Sequence, residues 1–420
     1  MKKTRHNFTF IDLFAGIGGF HQAMRYLGGK CVMASEIDAA CVKTYKINFP
    51  DVEIRGDIRK IKPQDIPAFD VLCAGFPCQP FSKAGYRDGF QDKRGTLFHS
   101  IINILNAHPE AKFIILENVR NLADNKEYWD VIQAELMKCN FFITETPIIL
   151  SPSDFGIPQT RERVYILGIR KDLRDEQILT NGYIHTSDLQ IDKFKKSCAL
   201  NSGRTILESS VPKEYILPQE TSSLLNAWNE FKRKTHIRTL GFPIWVDFFG
   251  IGIDDTSVFE DSVGFNSMPT WKKNFVRNNR KLYLKNKDFI DSWVKKYQIE
   301  SRIKLFKKFE WNCGEDCKSI KDGIIQIRQS GIRVKRPNFF PSLVAMVNTP
   351  IIWDKKIRKY RHITTREAAN LQSFHARYKF VGEKKQIYRQ LGNSVNVRLL
   401  KILGEQLFSL AKKDWEFGNE

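Results

Sequence analysis

The first part of the chain alternates short apolar runs with stretches of helical periodicity. "FTFIDLF" (8–14), "CVMASE" (31–36), "FDVLCAG" (69–75), "KFIILEN" (112–118) and "ERVYILGI" (162–169) are continuous enough to read as buried strands. Between them, residues 19–28, 38–48, 97–107 and 127–139 place their apolar side chains at helical spacing. Strand–helix alternation of this kind predicts an α/β fold: a doubly wound, mostly parallel sheet with helices on both faces. After Arg170 the texture changes. Residues 171–235 are polar with scattered turn formers, and an aromatic, basic region follows, including "GFPIWVDFFGIG" (241–252) and "RIKLFKKFEW" (302–311). A helix is expected near 271–297, while the rest of this region gives no legible element pattern. The tail, "YRQLGNSVNVRLLKILGEQLFSLAKK" (388–413), reads as a turn followed by an amphipathic helix.

With 420 residues, 42% hydrophobic and 27% charged, the chain has material for two folded domains and little reason for wholesale disorder. No run approaches the roughly 20 apolar residues that span a bilayer. "MKKTRHNFTFIDLF" lacks the apolar core and cleavage site of a signal peptide, so a cytoplasmic protein without a membrane partner is expected. Eight cysteines lie scattered, mostly within apolar segments, and read as reduced core residues. Cys313 and Cys317 lack further ligands at zinc spacing, so no metal is expected. Charge sharpens the picture. The net +20 is uneven, +3 over residues 1–170 and +17 over 171–420, with 19 basic and 7 acidic residues in 271–340. Such asymmetry suggests a polyanion meeting one part of the molecule; a lysine-rich solvated surface is the plainer alternative.

The candidate chemistry sits at strand ends. "FTFIDLFAGIGGF" runs from a strand through a glycine turn into a helix, and Gly16, Gly18 and Gly19 permit tight turning and close ligand approach. Glu36 lies 20 residues after Gly16, where doubly wound folds grip ribose hydroxyls. The spacing does not demand a dinucleotide. A nucleoside with one carboxylate, such as S-adenosylmethionine, fits as well, and so does a purely structural turn. "GFPCQPFS" sets Cys78 between Pro77 and Pro80 at the carboxyl edge of the sheet, before the polar, glycine-rich loop 82–95. A soft nucleophile there suggests covalent catalysis, whereas Cys73, inside the strand, reads as core. "FIILENV" ends with Glu117 and Asn118 on the same edge; a cap or salt-bridge role is the alternative. Arg161 and Arg163 in "QTRER" point to one face, as an anion clamp or as a solvated edge.

The blocks "DLFAGIGGF", "SEID", "GDI", "GFPCQPFS", "LENV", "QTRER", "RHITTREAANLQSF" (361–374) and "QLGNSVNV" (390–397) occur in an order that resembles the cytosine-5 DNA methyltransferase family. The resemblance covers residues 8–170 and 360–412. It implies an S-adenosylmethionine-dependent methyltransferase fold split in sequence, with 1–178 and 386–420 forming the catalytic domain. Residues 179–385 would form a smaller target-recognition domain with a hinge segment at 360–376. It further implies double-stranded DNA as substrate and S-adenosyl-L-methionine as methyl donor, leaving S-adenosyl-L-homocysteine. A monomer in a bacterial cytoplasm, paired with a restriction endonuclease of matching sequence, completes the expectation.

By resemblance, Cys78 adds to cytosine carbon 6 of a base rotated out of the duplex, and carbon 5 then accepts the methyl group. Glu117 contacts ring nitrogen 3 and the exocyclic amine, which requires a carboxyl raised by burial. Arg163 holds the cytosine carbonyl, Arg161 organises the site, and Pro77 and Asn118 shape the pocket. Phe14 lies beside adenine, Glu36 on the ribose, and Asp57 with Ile58 at the adenine edge. Ala15, Gly16, Gly18, Gly19 and Gly75 line the donor, while Leu97, Asn393 and Ser394 close the site. Ile37 stands where some relatives carry an aromatic residue. The loop 79–96 is expected to close over the target and the stretch 235–345 to contact DNA. Transfer to tRNA is the nearest rival; that branch lacks a large variable domain and usually has proline in place of Phe76. A silent DNA-binding relative would not need Cys78, Glu117 and Arg163 together. A nucleotide-dependent oxidoreductase would leave the cysteine turn and the basic region without roles.

Overall fold

The computed structural model describes residues 8–77, 96–174, 182–199, 202–236, 239–249, 263–343 and 349–412. Contacts divide the chain into two units. The first comprises Met1–Cys198, Ser342–Val347 and Ala368–Glu420, and the second Ala199–Pro341 and Asn348–Glu367.

The first unit is built on strands β1 (Phe8–Leu13), β2 (Gly29–Ser35), β3 (Ile54–Arg55), β4 (Val71–Gly75), β5 (Phe113–Val119), β6 (Phe141–Ile143), β7 (Ile148–Leu150) and β8 (Arg163–Arg170). Their order is β3-β2-β1-β4-β5-β8-β6, with β7 also paired to β8. The pairs among β3, β2, β1, β4 and β5 are parallel. β8 runs antiparallel to β5, and β6 and β7 run antiparallel to β8. The sheet is thus doubly wound and mostly parallel, with β8 reversed between β5 and β6. Helices α1 (Gly19–Tyr26), α2 (Ala39–Asn48), α3 (Thr96–Ala107) and α4 (Lys126–Lys138) follow the predicted segments closely.

Strand order reverses between β1 and β4, so the turns that follow these two strands leave the carboxyl edge on either side of a crevice. In open α/β sheets that is where ligands bind. The tail returns to this unit as α5 (Lys384–Asn393) and α6 (Val397–Phe408). Asn396 caps α6 through the Leu399 amide, and the Phe408 ring packs against Phe8 and Phe113 at 5.1 and 4.8 Å. Gly404 is required at the α1 contact, since a β-carbon there would lie 2.7 Å from Leu27.

The second unit holds a six-stranded sheet in the order Ile244–Trp245, Lys308–Asn312, Gly331–Lys335, Ile324–Arg328, Ile351–Asp354, Lys359–His362. Helices Gln219–Lys234, Thr270–Lys285 and Lys287–Tyr297 accompany it. The helix expected near 271–297 is therefore two helices, broken at Asn286, whose side chain turns back onto the Leu282 carbonyl. The core is aromatic: Trp228 stacks on Phe309 at 4.7 Å, and Trp293 donates its indole N–H to the Ala227 carbonyl. Arg361 is wholly buried between Asp354 and Glu367, which satisfies its guanidinium and anchors the end of this unit.

Two boundaries fall elsewhere than the sequence suggested. Residues 182–198 group with the first unit rather than the second, because Ile184 bridges to Thr144 and Leu189 and Ile191 are buried there. Residues 368–385 do the same: Gln372 donates to the Leu391 carbonyl, and the Tyr378 hydroxyl to that of Ile17. The segment 360–376 straddles the division at residue 367.

Candidate active site

The turn after β1 is shaped by three left-handed residues, Phe14, Gly16 and Gly18, with φ of 54°, 54° and 83°. Ala15 donates to the Ser35 carbonyl and Gly18 to that of Ala15, closing the turn against β2. Glu36 emerges at the end of β2 and its carboxylate is pinned from both sides. Gly16 donates to Oε2 at 2.7 Å, while Ile37 and Asp38 donate to Oε1 at 2.8 and 2.7 Å. Three amides orient the group and still leave acceptor capacity for a ligand hydroxyl.

The glycines divide into two kinds. A β-carbon on Gly18 would lie 2.7 Å from the Phe49 ring, and one on Gly19 2.6 Å from Val395. Both are therefore demanded by the packing of α2 and the tail. Gly16 and Gly56 instead face open space, with nothing within 4 Å of either β-carbon position. Gly75 is intermediate, meeting Phe20, Glu117 and Val395 only at ordinary contact distance. Ile37, 74% exposed, is an uncovered apolar side chain next to the pinned carboxylate. A cradle open at Gly16 and Gly56, an oriented acceptor and an uncovered apolar flank suit a nucleoside-bearing ligand. Asp57 engages Arg59 at 2.5 Å and caps its amide; that hydrogen bonding pulls its carboxyl down to about 2. Ile58 beside it is buried.

Across the crevice, Gly75 of β4 pairs with Glu117 of β5. Burial pushes the Glu117 carboxyl above its ordinary range, and the Arg163 and then Arg161 guanidiniums oppose this without reversing it. Arg163 approaches from β8, its Nε 3.0 Å from Glu117 Oε1. Asn118 donates from Nδ2 to the Phe76 carbonyl at 3.0 Å, tying the end of β5 to the exit of β4. The exposed Pro77 follows, and there the description stops: Cys78 and residues 79–95 lie outside the described residues.

Arg161 is buried, which rules out the solvated-edge reading for this residue. Its guanidinium donates to Ser342 Oγ, the Leu343 carbonyl and the Ser394 carbonyl at 3.2, 3.0 and 2.8 Å. One side chain thus joins three segments far apart in sequence. Burial lowers its pKa to about 10, so it remains charged near neutrality. Ser394 is buried at this junction, Asn393 is exposed at the end of α5, and Leu97, in the first turn of α3, packs on the core.

A buried polar cluster under the glycine turn escaped the sequence reading. His21 on α1 hydrogen-bonds the Tyr45 hydroxyl at 2.8 Å and stacks on Phe49 at 3.6 Å. Burial lowers its pKa to about 3, so the ring is neutral. Asp12, on β1, is fully buried and burial raises its carboxyl well above the usual range. An acid in the middle of the run "FTFIDLF" was the available signal.

The sequence model described as C-5 cytosine-specific DNA methylase matches residues 8–409. The chain belongs to the C-5 cytosine-specific DNA methylase family. Within this family, the Type II methyltransferase M.AluI of Cellulosimicrobium cellulans is 30% identical over 487 aligned positions, covering 96% of this chain and 92% of its own. M.HgiCI of Herpetosiphon aurantiacus is 32% identical, covering 96% and 98% respectively. M.HpaII of Haemophilus parainfluenzae reaches 47% identity, but over only 40% of this chain and 47% of its own. Among solved structures, a mutant of Spodoptera frugiperda DNMT2 shares the fold. Its TM-score is 0.59 and its identity 20%, over 95% of this chain and 99% of that one. This C-5 cytosine-specific DNA methylase is accordingly an α/β enzyme with the architecture of the methyltransferases.

Proposed function

We propose that this enzyme uses S-adenosyl-L-methionine to methylate carbon 5 of a cytosine rotated out of duplex DNA, in a specific sequence context. The observation that carries this reading is the buried Glu117 paired with the half-buried Arg163 at the sheet edge, beside the strand that leads through Gly75 and Pro77 to Cys78. When bound, the donor supplies an electrophilic methyl group. Glu36 would accept from the ribose hydroxyls, Ile37 and Phe14 would flank the adenine, and Asp57 with Ile58 would mark its edge. Open space at Gly16 supports placing the donor against the turn, with Ala15, Gly75, Leu97, Asn393 and Ser394 completing the surround. Gly18 and Gly19 contribute by letting the turn form.

On the substrate side, the Cys78 thiolate adds to carbon 6 while Glu117, whose carboxyl burial raises, delivers its proton towards ring nitrogen 3. The electron pair displaced from the 5,6 double bond makes carbon 5 nucleophilic. After methylation, loss of the carbon-5 proton to a base expels the thiolate and restores the ring. Arg163 would hold the carbonyl oxygen, and Arg161 would fix the edge that carries both groups. Asn118, through the Phe76 carbonyl, would hold the approach to Pro77 and Cys78. The second unit would select the target sequence. Relatives named Type II methyltransferases support a modification role beside a companion restriction endonuclease in a bacterial cytoplasm. Replacing Cys78 by Ala tests the assignment: methyl transfer should vanish while DNA and S-adenosylhomocysteine binding persist. Transfer at near wild-type rate would exclude Cys78 as nucleophile.

A further inference from the structure

The helix Thr270–Lys285 in the second unit carries Lys272, Lys273, Arg277, Arg280, Lys281 and Lys285 and not one carboxylate. Its inner face is set by Val276, Asn279 and Tyr283, all buried. Trp271, Asn274, Arg277, Lys281 and Lys285 are exposed on the opposite side, with Asn278 half-buried beside them. The spacing of 274, 278, 281 and 285 keeps these residues on one face for roughly 16 Å of helix, at 1.5 Å per residue.

Isolated from any partner, such a helix is electrostatically unfavourable. Arg277–Lys281 and Lys281–Lys285 place like charges four residues apart, and Lys272 and Lys273 sit at the N-terminal end, where the dipole disfavours cations. The neighbouring helix Lys287–Tyr297 behaves differently, pairing Lys287 with Asp291 and Lys296 with Glu230. Among the described residues, Lys272, Lys281 and Lys285 have no carboxylate partner. A solvated surface helix ordinarily mixes signs; a face of cations flanking two amide side chains matches a phosphate backbone with base edges between its strands.

We propose that the outer face of Thr270–Lys285 docks on duplex DNA, with Lys281 and Lys285 on phosphates and Asn274 and Asn278 at base edges. This deepens the reading of the enzyme as a sequence-selective DNA methyltransferase and rests on it. The test uses the full-length protein and mixed-sequence duplex DNA. Lys281→Gln combined with Lys285→Gln should weaken binding about 10-fold or more near physiological salt and lower the log–log salt slope by about 2. Lys295→Gln with Lys304→Gln removes equal charge from exposed positions elsewhere in the unit and should do neither. Asn274→Ala with Asn278→Ala should leave the slope intact but broaden the set of methylated sites read by bisulfite sequencing. Equal effects of the two lysine pairs, an unchanged site map, or a loss confined to structured RNA would overturn the docking face while wild-type DNA methylation stands. A folded wild-type protein that methylates no DNA would instead overturn the underlying reading. Circular dichroism and Tm confirm that the variants are folded.

Discussion

Glu117 combines a desolvated carboxyl with a guanidinium 3.0 Å away, and burial prevails in setting its protonation. Its neutral form persists above the usual range of about 4.3 and is lost as pH rises through the raised value. The wild-type kcat/KM should therefore fall on the alkaline side. Glu117→Gln keeps a neutral hydrogen-bonding group but cannot deliver a proton, so it should lose roughly 10²–10⁴ in kcat, lack that alkaline limb and still bind DNA. Arg161 makes the opposite kind of contribution, as a tie. Arg161→Ala would orphan the Ser394 carbonyl, leave that of Leu343 only its Ser342 hydroxyl donor, and should cost roughly 2–4 kcal/mol, measured by urea unfolding. His21 tests the buried cluster. With its pKa held near 3, the unfolded chain takes up a proton that the fold refuses as pH drops below about 6.5. The stability advantage of wild type over His21→Gln should shrink by about 1.4 kcal/mol per pH unit from there towards pH 3. The strand-end placement of Glu36, Glu117 and Arg163 was legible because these residues stand in motifs that bound apolar runs. His21 was not legible, since burial makes an ordinary imidazole neutral without marking the sequence, and Asp12 was marked only as an acid inside an apolar run.

At the scale of elements, the glycine turn separates packing from ligand space. Gly18→Ala and Gly19→Ala force a β-carbon into Phe49 or Val395 and should destabilise the protein by about 1–3 kcal/mol. Gly16→Ala meets only its left-handed backbone, a cost of about 1 kcal/mol, yet places a methyl group in the open cradle. Thermal shifts with S-adenosylhomocysteine should distinguish them: Gly16→Ala loses most of the ligand-induced rise in Tm from a nearly normal baseline. Strands β1, β2, β4, β5 and β8 and the four helices between residues 19 and 138 could be read from the chain because strands buried on both faces leave continuous apolar runs, whereas the short β3, β6 and β7 could not. The reversed direction of β8 could not, since periodicity carries no information on strand polarity. Nor could the second sheet. Its strands "KFEWN", "IIQIR" and "GIRVK" are five residues long, and their outward positions carry the cations that made the region read as merely basic.

Over the whole molecule, the charge asymmetry was the most legible feature of the second unit, and its fold the least. The chain returns to the first unit briefly at 342–347 and finally at residue 368, so in sequence the aromatic-cored second unit lies between parts of the first. Charge excess of this size predicts that DNA affinity falls steeply with salt, while S-adenosylhomocysteine affinity changes little. The claim on which the rest depends is covalent: a thiol at position 78 bonds transiently to the target pyrimidine. DNA carrying 5-fluorocytosine tests this directly, because the carbon-5 substituent cannot leave as a proton after methylation. Incubated with this DNA and S-adenosylmethionine, the enzyme should form a stable adduct whose mass equals protein plus methylated DNA, mapped by peptide sequencing to Cys78. An active preparation that forms no adduct, or whose adduct maps to another residue, would contradict the account.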